Sequence, residues 1–131
     1  MPLIETGTFG DLPYVIWEQG GLGHLCGYLG VPASHPWYER DYDQPDVDIH
    51  GGLTYASAHD PGDGSYESPV KAWWVGFDCA HLGDYVPGLG KGFGDGAYRD
   101  RDYVHSELEG LARQASEAWN EAVALAQPDG V

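Results

Sequence analysis

The sequence predicts an α+β fold, in which an antiparallel β-sheet of about four to five strands carries one long C-terminal helix. Apolar residues near the C-terminus recur at spacings of three and four, as on one face of an α-helix; they are Val104, Leu108, Leu111, Ala115, Trp119 and Ala122. Upstream, short β-prone runs alternate with turns rich in glycine and proline. We therefore expect a single domain over residues 1–131, with the sheet at 12–87, a glycine-rich loop at 87–98 and the helix at about 102–126.

The first two predicted strands form a hairpin. Tyr14 to Glu18 and His24 to Val31 are β-prone and flank a glycine-rich turn. Pro32 is expected to end the second strand, because proline has no N–H to donate to the ladder.

Two further strands are predicted downstream. In "VDIHGGLTYASA", one face is expected to carry the alternating side chains Val47, Ile49, Leu53 and Tyr55. The pair Gly51 and Gly52 interrupts this run, which indicates a bulge or a close backbone approach. The run "VKAWWVGFDC", residues 70–79, is apolar on both faces, as is typical of a central strand.

The predicted helix has signals at both ends. Asp102 is the expected N-cap, and Glu107 and Glu109 lie early, where the helix dipole favours acidic groups. Pro128 and Gly130 are expected to stop the helix.

The charge of the chain argues against several partners. There are 21 acidic and 6 basic residues, a formal net charge of −15. Binding nucleic acid through its phosphates needs a dense set of Lys and Arg, and an anionic membrane would also repel this chain. The acidic surface either serves solubility or mimics nucleic acid and occupies a basic host protein. Since the sequence has no apolar signal segment, we expect a soluble, cytoplasmic protein.

A cluster of titratable groups follows the fourth predicted strand. The run "WWVGFDCAHLGD", residues 73–84, leads from aromatic residues to Asp78, His81 and Asp84. With His50 from the preceding strand, these groups suit a divalent metal ion, or a base and its orienting partner. The alternative is that Asp78 and Asp84 cap the turn and His81 is a hydrogen-bonded polar side chain.

Two pairs of soft metal ligands lie in extended segments. His24 and Cys26 form H-x-C, and Cys79 and His81 form C-x-H. Residues i and i+2 of a strand face the same way, so the four would suit tetrahedral zinc if the two strands met. The spacing is not that of the usual zinc turns, and the alternative is that both cysteines are small core residues.

Scarce cations and loop aromatics favour a flat, phosphorylated ligand. Alternate glycines surround Lys91, and Arg99 and Arg101 follow closely, a combination suited to phosphate. A plain loop or a lid is the alternative. Trp37 and Tyr38 lie in a predicted loop, where their rings either stack on a base or cover the sheet edge.

The motifs "HPWY", "HGGLTYA", "WWVGFDCAHLGD" and "YRD" together resemble a family of small proteins from actinobacteria and their phages, over roughly residues 23–113. The family carries no established activity. The resemblance therefore implies an actinobacterial or phage origin, but it identifies no catalytic residue. A phage setting implies counter-defence in the host cytoplasm, by sequestering or degrading an immune nucleotide or by blocking a nuclease.

These observations predict a small acidic binding protein that holds a nucleotide-like ligand; they favour binding over catalysis and leave open whether the protein is an enzyme. The expected ligand contacts are His50, Gly51, Gly52, Asp78, His81, Lys91, Arg99, Arg101, Trp37 and Tyr38. One alternative is a metal-dependent hydrolase or phosphodiesterase that uses His50, Asp78, His81 and Asp84. The other is an acidic inhibitor of a nucleic-acid-binding host protein. Small sheet proteins rich in aromatic residues often pair, so a homodimer is also expected.

Overall fold

An α+β fold is formed by residues 3–81, 83–89 and 96–126, which the computed structural model describes, with a five-stranded antiparallel sheet and one long helix packed on it. The strands are β1 (Leu3–Phe9), β2 (Leu12–Glu18), β3 (Leu25–Val31), β4 (Tyr55–Ser57) and β5 (Trp73–Asp78); a short 3-10 helix covers Pro87–Leu89, and the helix α1 covers Arg101–Ala126. Their order across the sheet is β1-β2-β3-β5-β4, with antiparallel neighbours throughout. The predicted fold class is confirmed.

Both faces of the sheet are covered, because its central strands place apolar side chains on both sides. On one face, the stripe of α1 packs against buried residues of β2, β3 and β5; these are Leu12, Tyr14, Ile16, Leu25, Leu29, Val31, Val75 and Phe77. On the other face, Val15 and Trp74 pack against Tyr66 and Ala72 from the connection before β5. This two-sided burial confirms the prediction that residues 73–78 form a central strand.

The predicted third strand is mostly irregular. Gly51 and Gly52 have φ of +68° and +79°, a left-handed conformation that interrupts a strand. Regular pairing therefore begins only at Tyr55. Leu53 reaches the helix-side core as expected, but Tyr55 packs on the opposite face, so the prediction of one shared face was wrong for Tyr55.

The strand β1 is not predicted from the sequence, because two of its four inward positions are not apolar. The inward positions include Glu5 and Gly7, which hide the alternation that predicts a strand. Each has a packing role against Tyr14: Glu5 accepts a hydrogen bond from its hydroxyl at 2.6 Å. A Cβ on Gly7 would lie 2.7 Å from the Tyr14 ring, so only glycine fits there.

The helix α1 starts with Asp100 as its N-cap. Asp100 Oδ1 accepts the backbone N–H of Tyr103 at 2.9 Å, whereas Asp102 lies inside the first turn. The predicted N-cap was therefore displaced by two residues. Among the described residues, no helix combines the length and the apolar character needed to cross a membrane.

His35 connects the loop after β3 to α1. In the neutral ring, Nε2 donates to the carbonyl of Ala115 at 2.8 Å and Nδ1 accepts the N–H of Trp37 at 3.0 Å. The residue is 3% exposed. Burial lowers the pKa of His35 below its ordinary value of 6.5, against the opposing effect of the bond to Ala115.

The stability of the protein is expected to decline as the pH falls below about 6.5. A histidine whose pKa is lowered by folding binds its proton more readily in the unfolded chain, so stability is complete above 6.5 and is lost below it, by at most about 1.4 kcal/mol per pH unit for each such group. Urea unfolding at several pH values measures this. His35→Asn is expected to flatten the decline, leaving the part due to buried His24, and exposed His59→Asn should not change it. Equal slopes in the wild type and His35→Asn would contradict the prediction.

Candidate functional site

Asp84 is the centre of a buried hydrogen-bond cluster beyond the end of β5. Its carboxylate accepts from His50 Nε2 at 2.8 Å, from the backbone N–H of His81 at 3.0 Å and from Arg99 Nε at 2.9 Å. Asp84 is 3% exposed. Burial alone would raise the pKa of Asp84, but these hydrogen bonds outweigh it and hold the pKa below its ordinary value. The carboxylate is therefore ionised at neutral pH and tied to the fold.

His50 is held from both sides in this Asp84 cluster. Its backbone N–H donates to Glu107 Oε1 at 2.8 Å, and its ring Nδ1 lies 2.8 Å from the hydroxyl of Tyr103 on α1. Since a carboxylate only accepts, Nε2 carries the proton that faces Asp84, and Nδ1 of the neutral ring accepts from Tyr103. Both ring nitrogens are thus used within the fold, and His50 acts as a support for Asp84.

His81 connects the Asp84 cluster to the surface. Its backbone is held by Asp84, and its ring lies 5.7 Å from the ring of His50 in an edge-to-face arrangement. His81 Nε2 lies 3.3 Å from Asp78 Oδ1, close enough for attraction but not aligned for a hydrogen bond. Asp78 in turn accepts the hydroxyl proton of Thr54 at 3.1 Å. The cluster therefore sets the position of a histidine that faces a cleft.

This cleft has a volume of about 520 Å³ and lies beside the ends of β3 and β5. Its polar lining consists mainly of His24, Cys26, Thr54, Asp78 and His81. A second hollow, of about 450 Å³, adjoins the cleft; the two share Gln19, Tyr28 and Tyr55, and the second adds Trp17 and Asp63. Each volume suits a small organic molecule.

Two buried nitrogens of the cleft residues lack hydrogen-bond partners. Three side-chain polar atoms among the described residues are buried without a partner: His24 Nδ1, His81 Nε2 and Trp74 Nε1. The first two belong to residues that line the cleft, and His24 is only 7% exposed. Burial lowers the pKa of His24, against the attraction of the carboxylates of Asp78 and Asp84, so its ring is neutral at pH 7.

The two cysteines lie on opposite faces of the sheet, which excludes the predicted zinc arrangement. The strands β3 and β5 do meet, but Cys26 is paired with Asp78, and Cys79 is one residue out of phase and joins the helix-side core. The set His24, Cys26, Cys79 and His81 therefore cannot converge on one ion. Burial raises the pKa of Cys26 to about 11 and also raises the pKa of Cys79, so both stay thiols.

The other predicted metal ligands are brought together without forming a metal site. The structure brings together the four expected residues His50, Asp78, His81 and Asp84. However, the ring nitrogens of His50 and the carboxylate of Asp84 are hydrogen-bonded to each other and to other protein groups. Within the described part of the chain, no three His, Cys, Asp or Glu side chains are grouped to hold a metal ion. The hydrolase alternative therefore has no metal centre among these residues.

Two of the predicted phosphate-binding cations, Arg99 and Arg101, do not lie in the cleft. Arg99 is bonded to Asp84 and its guanidinium carbon lies 4.7 Å from the centroid of the Tyr103 ring. Arg101 pairs with Glu5 of β1, and β1 lies three strands from β5, roughly 14 Å across the sheet. Lys91 lies outside the described residues.

The predicted stacking residues also lie elsewhere. Trp37 is 6% exposed and belongs to the helix-side core, so it has little surface for a ligand. Tyr38 packs on Trp73, at the start of β5, roughly 17 Å along the strand from Asp78 at its end. The aromatic surface near the cleft comes from Tyr28 and Tyr55 instead, whereas Trp17 in the second hollow is only 5% exposed. Their contribution depends on strand pairing, and local sequence contains no signal for it.

The close backbone approach predicted for the glycine pair occurs at Gly51 alone. A Cβ on Gly51 would lie 2.3 Å from the ring of His81, whereas a Cβ on Gly52 would meet nothing within 4 Å. The absence of a side chain at Gly51 therefore leaves space for the His81 ring. At Gly52, glycine is favoured only because the backbone has a positive φ.

Comparison with models of protein families finds no match to this chain. Curated proteins and solved structures likewise contain no match. The resemblance to small proteins of actinobacteria and their phages is not tested by these comparisons and stays a prediction.

Proposed function

We propose that this protein binds a small organic molecule in the cleft lined by His24 and His81. The observation that carries the proposal is a cleft of about 520 Å³ in whose lining residues two histidine nitrogens are buried without an aligned hydrogen-bond partner. Buried polar atoms of folded proteins nearly always have a partner, and leaving one without costs about 1–3 kcal/mol. Two such atoms at one cleft favour a site whose partner is a ligand.

The titratable groups support binding more than catalysis. The thiol of Cys26 has a pKa raised by burial to about 11, so it is a weak nucleophile at neutral pH. His50 and Asp84 form an internally satisfied pair, and a base whose nitrogens are already used has no position left for a substrate proton. The cleft therefore suits recognition of a molecule that leaves unchanged.

The aromatic part of a nucleotide-like ligand has more support than its phosphate. Tyr28 and Tyr55 offer partly exposed rings on which a flat molecule can stack. The described residues that line the cleft and the second hollow include no Lys or Arg. Phage counter-defence, a basic host partner and a homodimer have no further support from the described contacts and stay predictions.

Substitution of His24 by leucine is expected to separate stability from binding. The change removes a buried nitrogen without a partner, so the free energy of unfolding should stay within about 1 kcal/mol of the wild type or rise. Ligand binding should be lost. Mass spectrometry of the molecules released on denaturation, together with melting temperatures, measures both properties.

The matched control is His59→Leu, at an exposed histidine outside the cleft. We expect the wild type and His59→Leu to release the same small molecule, and His24→Leu to release none. The proposal fails if the wild type releases no molecule and no compound of a metabolite library raises its melting temperature.

A further inference from the structure

We infer that the cleft takes an organic ammonium ion, whose cationic group lies beside Asp78 and whose apolar part lies against Tyr28 and Tyr55. The inference rests on the proposed function, because it names the chemical class of the ligand for the same cleft. It departs from the predicted phosphorylated ligand in the sign of the ligand's charge.

Asp78 is placed to receive a cation. Its oxygens accept one hydrogen bond each, from the Thr54 hydroxyl at 3.1 Å and from the backbone N–H of Ala80 at 3.0 Å. A carboxylate oxygen has two lone pairs; Oδ1 also faces His81 Nε2 at 3.3 Å, so the open acceptor position is the second one on Oδ2. The side chain is 31% exposed, which makes it reachable from the cleft while part of its surface is shielded from water.

Apart from His81, whose Nε2 lies 3.3 Å from Asp78 Oδ1, the other titratable groups of the lining add negative charge or none. Asp63 lines the adjoining hollow, and its pKa is lowered by hydrogen bonds from Ser65, so it is ionised. His24 and Cys26 are both neutral at pH 7 for the reasons given above. A phosphate would therefore face two carboxylates with no Lys or Arg from the described lining, whereas an ammonium group is attracted by both.

Aromatic rings give the same preference. Tyr28 and Tyr55 lie edge to face, with centroids 5.2 Å apart, where the cleft and the second hollow join. The face of an aromatic ring is electron-rich and attracts ammonium groups, most strongly when water is displaced. Carboxylates combined with aromatic rings are the surroundings in which proteins recognise organic cations.

Three probes of one shape and different charge test the inference. They are 2-phenylethylamine, a cation; 2-phenylethanol, which is neutral; and 3-phenylpropanoate, an anion. Titration calorimetry at pH 7 and low salt is expected to show the amine binding at least about tenfold tighter than the alcohol, because a charge-assisted hydrogen bond contributes more than a neutral one. The carboxylate and adenosine monophosphate should bind more weakly than the alcohol.

Variants assign the effect to Asp78. Asp78→Asn removes the charge, while its amide oxygen can still accept the Ala80 N–H and its NH2 group can donate to the Thr54 hydroxyl. It should therefore cost the amine about tenfold in affinity and have a much smaller effect on the alcohol. Asp46→Asn makes the same change in net charge at an exposed loop position outside the cleft, and should affect neither probe. The affinities of the wild type for the three probes test the inference without any variant, so the test remains valid even if a variant folds poorly.

Each outcome bears on a different claim. Equal affinity for amine and alcohol, tighter binding of the anion, or no binding of the amine would overturn the ammonium inference. The proposed function would survive such a result if a released molecule were still lost in His24→Leu. Loss of amine affinity in Asp78→Asn but not in Asp46→Asn would support both.

Discussion

Replacement of Asp84 by alanine is expected to lower the free energy of unfolding by about 2–4 kcal/mol, the largest loss at a single polar side chain of this fold. The reason is the number of donors that share one buried acceptor. The ring N–H of His50 and the backbone N–H of His81 would both lose their partner, and Arg99 would lose its counter-ion. Breaking one side of a buried pair costs more than the pair contributes, because the remaining groups stay desolvated.

The measurement is urea unfolding at pH 7, with Asp46→Ala as the matched control at an exposed carboxylate. The control should stay within about 0.5 kcal/mol of the wild type. Ligand binding should also be weakened in Asp84→Ala, since Asp84 holds the backbone of His81 beside the cleft. A loss of less than 1 kcal/mol would show that water replaces the carboxylate without penalty, contrary to its burial.

Gly51→Ala is expected to have the second large effect, on stability and on ligand affinity together. The left-handed φ of +68° costs alanine about 1 kcal/mol. The new methyl group would also lie 2.3 Å from the His81 ring, so the ring must move away. Forcing such a rearrangement typically costs a further 1–3 kcal/mol, roughly. We expect affinity for the cleft ligand to fall more than about tenfold, because His81 lines the cleft.

The control variant Gly52→Ala separates the effect of backbone strain from the effect of displacing the His81 ring. Gly52 has the same kind of backbone, with φ of +79°, but its Cβ would meet nothing within 4 Å. It should therefore show the conformational cost without the loss of affinity. NMR of the His81 ring is expected to detect a shift in Gly51→Ala only. Equal behaviour of the two variants in stability, affinity and spectrum would show that the position of His81 does not depend on Gly51.

The elements predicted correctly from the sequence are those whose buried positions follow a short, regular pattern of apolar residues. The stripe from Val104 to Ala115 follows the period of a helix, and it is buried against the sheet. The run from Trp73 to Asp78 is apolar on both faces, and it lies inside the sheet. Where the inward residue is Gly7 or Glu5, the repeat is broken, and β1 was invisible although its packing against Tyr14 is close.

The candidate site likewise contains residues that local sequence predicts and residues that it does not. Its titratable residues near the end of β5 were found because Asp78, His81 and Asp84 follow an apolar strand. Tyr103 was counted neither as helix stripe nor as site residue, yet its hydroxyl completes the hydrogen bonding of His50. The cation predictions missed the carboxylate partners of Arg99 and Arg101, which come from distant parts of the chain.

By itself, the sequence determined the α+β class, the central strand, the long helix and the segment that carries the titratable residues of the candidate site. These follow from periodic burial and from turn residues, which act over a few positions. Only the tertiary structure decided which polar groups are free. A one-residue difference in strand phase puts Cys26 at the cleft and Cys79 in the core, and long-range contacts tie Arg99 and His50 to Asp84. Pairing of this kind depends on three-dimensional distance, which local patterns of residues do not encode.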